Sequence, residues 1–328
     1  MFDIDFVVTW VDGSDEGWIK EYNKYVKPDK RIDVSAIRYR DNGLLKYWFR
    51  CIEQNAPWVR KIHFITNGQL PDWINIDCAK LHFVKHVDYI DEKYLPVFNS
   101  HPIENCMHKI DGLAEHFVYF NDDFFLINKV LPTDFFNSSG IVKDTLSLYN
   151  LPISKFGLIL LNNEIAIRER KSIDESFKEN KSKWFSLKYG LYNFLTILLY
   201  RWKNSSCIHW SHFAQAYTKS NIEECWSIFE SELNQTMNSK FRSDTDVNHY
   251  LFRNWNLIKG NFEPVNVFKD NCYMNINQDV NKICENILSQ RYKQLVINDQ
   301  EVSDVDDRYA KICEAFKTKF PNKSIFEK

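Results

Sequence analysis

Hydrophobic positions in this chain recur with two periods, and the order of those periods predicts the architecture. Ile4, Phe6, Val7, Val8 and Trp10 form a short β-branched and aromatic run that stops at Val11-Asp12-Gly13-Ser14-Asp15, a strand followed by a loop. Trp18, Tyr22 and Tyr25 then return at helical spacing, with Ser14 or Asp15 as the cap. Leu44, Leu45, Trp48, Phe49 and Ile52 mark a second helix that stops before Pro57 and for which Asp41 is the expected cap. Residues 61–66 and 80–84 read as two further strands, and residues 117–120 as another. Strands and helices joined by short links predict a parallel sheet, so residues 1–140 are expected to form a Rossmann-like α/β unit. Beyond it the apolar positions keep helical spacing in Trp226/Phe229/Leu233, Val280/Ile283/Ile287 and Tyr309/Ile312/Phe316. Residues 141–328 are therefore expected to be a helix-rich part that completes the site, as a second unit or as one continuous catalytic domain. The charged region 164–183 reads as solvated surface or loop.

The chemistry concentrates where a strand ends in acid. Tyr119-Phe120-Asn121-Asp122-Asp123-Phe124-Phe125 places two carboxylates and a carboxamide between apolar runs, at the carboxyl edge where open α/β sheets bind ligands. Paired carboxylates there suit a divalent cation held against a diphosphate; the same residues also make an ordinary hairpin turn. Asp12 and Asp15 admit two readings as well, nucleotide or cation ligands, or a turn and a helix cap. Arg38 and Arg40 precede a helix amino terminus and can cradle a phosphate, or pair with Asp41 at the surface. Asn99, His101 and Glu104 open a helix expected to carry Ile103, Met107 and Ile110; Asn99 or Ser100 can cap it, and His101 and Glu104 can project toward the edge that holds Asp122, or the whole can be an ordinary capping turn. Arg242 stands before a helix carrying Val247, Leu251 and Trp255, and Asn298-Asp299 follows a strand-like Leu295-Val296-Ile297.

Composition narrows the partners. With 42 basic and 44 acidic residues the net charge is -2, which provides no long-range field for nucleic acid, so an anionic substrate must be met by local charges. The first residues lack the basic-then-apolar order of a secretory signal, and the cytoplasm is the expected compartment. Eight cysteines without a Cys-x-x-Cys pair fit isolated thiols rather than a zinc cluster. Residues 187–203 carry apolar positions 191, 194, 195, 198, 199 and 202 at helical spacing, bracketed by Lys188, Arg201 and Lys203. They are too few to cross a bilayer, and fit either a helix buried on the sheet or one lying in a membrane interface.

Five strings carry a resemblance: IDFVVTWVDGSD (4–15), RYRDNGLLKYWFRCIEQNAPWVRKIHFITNGQLPDW (38–73), LPVFNSHPIENCMHKIDGLAEHFVYFNDDFF (95–125), HWSHFAQAY with SKFRSDTDVNHYLF (209–217 and 239–252), and VINDQ with FPNKSIFEK (296–300 and 320–328). In order, they resemble the conserved regions of the Stealth family. It contains bacterial capsule and exopolysaccharide hexose-1-phosphate transferases and the catalytic part of the animal N-acetylglucosamine-1-phosphotransferase. The resemblance implies a nucleotide-sugar transferase-type sheet and transfer of a hexose-1-phosphate from a UDP-sugar to a hydroxyl of a glycan, which can itself be lipid-linked. It also implies Mg²⁺ or Mn²⁺ at Asp122 and Asp299, and Asp123 as a metal ligand or base. Proton transfer falls to His209 or His212, since His209-Trp210-Ser211-His212 departs from the family's His-Met-Pro wording. Arg242, Arg38 and Arg40 would meet phosphate charge, with Asp12, Asp15 and Asn67 on the nucleotide side. A metal-dependent glycosyltransferase and a non-catalytic glycan- or nucleotide-binding module are the competing readings.

Overall fold

The first strand, β1 (Ile4–Thr9), is buried on both sides, as the middle of a parallel sheet requires. The structure, a computed structural model, describes residues 2–26, 32–33 and 39–328, and Arg38 lies outside them. Helix α1 (Glu16–Tyr25) follows, capped by Asp15, whose carboxylate accepts the Trp18 amide at 2.6 Å. Helix α2 (Leu45–Asn55) begins without a side-chain cap. Asp41, expected there, instead accepts from the Trp10 indole and the Gly43 amide, each at 3.3 Å. Strands β2 (Ile62–Thr66) and β3 (Leu81–Lys85) are joined by turns rather than by a helix. Helix α3 (Ser100–Asn105), capped by Asn99, is shorter than its apolar spacing predicts; a 3₁₀ turn at Met107–Lys109 replaces its expected continuation. Strands β4 (His116–Asn121) and β5 (Phe124–Leu126) flank the acid pair.

The second half contributes helices α4 (Lys155–Arg168), α5 (Tyr192–Tyr200), α6 (Tyr250–Ile258), α7 (Val280–Leu288) and α8 (Val305–Lys319). It also contributes strands β6 (Gln215–Thr218), β7 (Asn271–Asn275) and β8 (Gln294–Asn298). The region 164–183 is mostly helical rather than a loop; Glu169, Arg170, Glu175, Lys178, Glu179 and Lys181 do face solvent, as the charge pattern predicts, but the first of its acids does not. Glu164 is buried on α4, where it accepts from Arg168 at 2.7 Å and from the Ile208 amide at 2.9 Å, and a further helix spans Ile173–Glu179.

The main sheet runs β6-β4-β1-β2-β3, parallel throughout except for the edge strand β6. This is the Rossmann-like α/β arrangement that the pattern predicts. Because β1 has β4 on one side and β2 on the other, the chain switches direction of travel at β1, and a crevice opens at the strand ends. A second sheet, β5-β8-β7, is tied to the first where the Ile297 amide donates to the Asp123 carbonyl at 3.1 Å.

Alternation along β1 sends Phe6 and Val8 to a core shared with Trp48, Phe64 and Phe120, and Val7 to an opposite core with Phe117 and Leu251. Trp48 is fully buried, and truncating it to Ala would cost about 3–5 kcal/mol. The buried Asp5 clasps β1 to its neighbours. Its carboxylate accepts from Arg60 Nε at 2.8 Å, meets His63 Nε2 at 2.9 Å and accepts the Ala114 amide at 2.8 Å. All eight cysteines are free.

Candidate active site

Parallel pairing sets Thr9 opposite Asn121, so the loop after β1 and the acid pair after β4 face one recess. A cavity of about 300 Å³ opens there, lined by Trp10, Arg40, Asp41, Asn67, Asp122, Asp123 and Asp299, among others. The second sheet delivers Asp299 to it, and Arg40 Nη1 lies 3.2 Å from Asp299 Oδ2. Burial pushes Asp122 up to about 7, with the nearby Asp41 and Asp299 adding to the rise. Asp123 is raised well above the carboxylate range by burial, Asp122 and Asp299. Burial also raises Asp41, and it raises Asp299 although Arg40 pulls against it. Desolvated carboxyls that repel one another favour a proton or a cation between them.

The donor set suits a hard divalent ion, being all oxygen. Among the described residues no group of three His, Cys, Asp or Glu side chains converges as a metal cage. Protein carboxylates would therefore supply only part of a coordination shell, with phosphate and water oxygens supplying the rest, the usual state of Mg²⁺.

A larger cavity of about 700 Å³ adjoins the first and shares Asn121, His212, Arg242, Asn298 and Asp299 with it. His101 and Glu104, both buried, line this second space. Asn99 does not; it caps α3 and donates to Asp246 at 2.8 Å, and Asp246 in turn meets His101 Nδ1 at 3.0 Å. Burial pushes Glu104 up, but His249, His101 and Arg242 outweigh it and hold the carboxyl below its usual range, so it is charged at neutral pH. The Tyr119 hydroxyl stands 3.3 Å from Glu104 Oε1 and 2.8 Å from Asn121 Oδ1, and donates its one proton to either acceptor. Sequence spacing puts Arg242 ahead of α6; its guanidinium instead donates to Ser100 Oγ at 2.8 Å, beside α3.

The two histidines separate clearly. His212 sits on the wall common to both cavities, edge-on to Phe124 at 4.9 Å and 3.4 Å from the Tyr250 hydroxyl. His209 lines neither cavity. It is stacked between Tyr149 and Phe268, with centroids 4.3 and 4.4 Å away, and its carbonyl accepts from Arg253 at 2.9 Å. Burial lowers His212 to about 4 and His209 to about 3, so both imidazoles are neutral at pH 7.

Asp12 engages Ser14 through its amide at 2.8 Å and its hydroxyl at 2.6 Å, and lines a third cavity of about 420 Å³ with Arg40 and Asp41. Asp15 lines none of these cavities; its carboxylate is committed to the cap of α1. Sequence reasoning missed His249. It lies in the larger cavity with Nε2 4.0 Å from Glu104 Oε2 and Nδ1 2.7 Å from the Tyr217 hydroxyl, and burial lowers it to about 4. Its only local signal is a polar residue ahead of an apolar helix, which singles out nothing.

Three family models match the chain. Residues 2–27 match Stealth protein CR1, conserved region 1; residues 38–144 match CR2, conserved region 2; residues 211–252 match CR3, conserved region 3. The acid pair falls in the second, and His212, Arg242 and His249 in the third. The chain is 39% identical to the capsular polysaccharide phosphotransferase WcwK of Streptococcus pneumoniae, over 100% of this chain and 99% of that protein. It is 36% identical to the exopolysaccharide phosphotransferase cps2G of Lactiplantibacillus plantarum, over 100% and 97%, and 35% identical to the receptor polysaccharide phosphotransferase WefC of Streptococcus oralis, over 99% of each. With full-length relatives at this identity and three conserved regions matched in order, the chain belongs to the Stealth family.

Proposed function

We propose that this protein is a phosphotransferase of capsule or exopolysaccharide synthesis that moves a sugar-1-phosphate from a UDP-sugar to a glycan hydroxyl and releases UMP. Its full-length relatives are named as polysaccharide phosphotransferases. One observation carries the finer reading: an acid- and arginine-lined cavity and a larger aromatic-lined cavity meet at Asn121, His212, Arg242, Asn298 and Asp299. The donor diphosphate belongs at the charged side and the acceptor at the larger one, with aromatic faces such as Trp210 and Phe268 against which a sugar ring packs.

Asp122 and Asp299 would hold Mg²⁺ or Mn²⁺, which when bound neutralises diphosphate charge. Arg40 and Arg242 meet the phosphate oxygens from two sides, and Asp123 acts as a further metal ligand or as a base. The acceptor oxygen bonds to the β-phosphorus, the bond from that phosphorus to the UMP oxygen breaks, and the acceptor proton passes to the neutral His212. Catalysis is then positioning and charge compensation across the shared wall. In this reading the acceptor is carried on lipid, and the enzyme works at the inner face of the membrane.

Incubation with a panel of UDP-sugars and glycan acceptors, with and without Mg²⁺ or Mn²⁺, tests the reaction. UMP formed in step with product is the expected result. UDP formed in step with product would make the protein a glycosyltransferase instead, and tight donor binding without turnover would make it a binding module.

A further inference from the structure

Helix α5 offers two faces of different fate. Inward, Thr196 and Leu199 are buried, and Thr196 Oγ1 accepts the Leu148 amide at 3.2 Å. Outward, Leu191, Phe194, Leu198 and Trp202, on the helix and its flanking residues, are 81, 71, 61 and 57% exposed, and Leu187, on the 3₁₀ turn Leu187–Tyr189 that precedes it, is 96% exposed. The helix that sequence alone leaves free to pack on the sheet therefore keeps an unburied apolar stripe, and apolar patches of this kind on soluble surfaces mark contact sites.

From residue 181 to residue 203 stand Lys181, Lys183, Lys188, Arg201 and Lys203, with no Asp or Glu among them. Lys188 and Lys203 reach Glu263 and Asp174 at 3.2 and 3.4 Å at the rim. We propose that this face docks the enzyme on an anionic lipid surface, apolar stripe toward the acyl chains and cations among the headgroups. Trp202 at the stripe's end suits the headgroup layer. A nine-residue helix, about 14 Å long, lies on a bilayer rather than crossing it. Among the described residues no helix is long and apolar enough to span. A second copy of the chain is the weaker occupant, because a twofold contact through this face would set the same cations against each other.

The surface adjoins the site. Tyr192 of α5 packs on Phe268 with centroids 4.6 Å apart, and Phe268 lines the larger cavity. Docking through α5 thus holds the acceptor side of the enzyme near the lipid. The proposal deepens the functional reading above and rests on it for the lipid-linked acceptor, while its test does not require turnover.

The test is co-sedimentation of the full chain with phosphatidylcholine vesicles, with and without about 30% phosphatidylglycerol. Binding is expected with the anionic vesicles and should weaken about tenfold or more when salt rises from about 0.05 to about 0.5 M. The pair Phe194→Glu/Leu198→Glu should lose binding at least about tenfold while keeping its melting temperature, since both side chains are already exposed. Lys181→Glu/Arg201→Glu should lose it with the stripe intact. Wild-type protein that ignores anionic vesicles overturns the proposal, as does undiminished binding by the Phe194/Leu198 variant. A wild-type dimer that the same variant converts to monomer in light scattering also overturns it, assigning the face to a second copy. The variant should still release UMP with a water-soluble acceptor. Absence of UMP from the wild type would sink the functional reading and leave the vesicle result standing.

Discussion

Arg40 and Asp299, 259 residues apart in the chain, meet at 3.2 Å across the floor of the acidic cavity. The contact joins the segment before α2 to the end of β8, and it is the cation that pulls Asp299 down against burial. Arg40→Leu removes charge where the donor diphosphate is proposed to sit. Turnover should fall by about 10- to 1000-fold, with Arg40→Lys recovering only part because a compact ammonium replaces the planar guanidinium. Steady-state UMP release checks this; unchanged kcat and KM in Arg40→Leu would remove Arg40 from the donor site.

Asp123→Asn keeps the side chain's shape and leaves the Ile297 hydrogen bond intact, since that bond uses the Asp123 carbonyl. The fold should survive while kcat drops by about two to four orders of magnitude at saturating donor. A variant that melts early instead would assign Asp123 to structure.

The two histidines should fail differently. His212→Asn is expected to lower kcat by about 10²- to 10⁴-fold with little change in melting temperature. His209→Asn empties a slot between two stacked rings and should cost about 1–3 kcal/mol of stability while kcat stays near wild type. Parallel kinetics and thermal melts of the two variants decide the assignment, and the reverse pattern would exchange their roles.

Asp15→Ala should cost about 0.5–2 kcal/mol through loss of the α1 cap. Donor affinity, measured by titration calorimetry, should change little. A large loss of donor affinity with an unchanged melting temperature would return Asp15 to the nucleotide side.

Asp5 makes acid stability predictable. Burial alone would raise its carboxyl, but His63, Arg60 and the Ala114 amide hold it below the usual range. A carboxyl with a depressed folded value stabilises the fold above the unfolded value of about 3.9, and that contribution disappears as pH falls through the folded value. Asp5→Asn should therefore cost about 2–4 kcal/mol at pH 7, after discounting for the partial exposure of Arg60. The gap to wild type should close below about pH 4. Urea unfolding at pH 7 and pH 3 checks it, and a gap that is equal at both values would mean that the loss is steric.

Local pattern carried much of this fold. Strand and helix periods, an Asp that caps α1, and an Asn-Asp-Asp turn at a strand's carboxyl end depend on neighbours a few residues away, so β1, β4 and the acid pair were legible, as was their place at the sheet's ligand edge. The family strings extended that reading to Asp299 and Arg242, which local pattern could only present as a turn and a surface arginine.

Sequence by itself determined the α/β class, the acid pair at the end of β4 and the family. Tertiary structure alone decided which of His209 and His212 reaches the shared wall, that Asp41 enters the cavity instead of capping α2, that His249 stands beside Glu104, and that the stripe on α5 faces outward. The reason is common to all four. An imidazole, a carboxylate or an apolar stripe has the same local signature whether its neighbour is solvent, lipid or protein. That neighbour is set by chain segments tens to hundreds of residues away, brought together by the pairing of β1 with β4 and of β5 with β8.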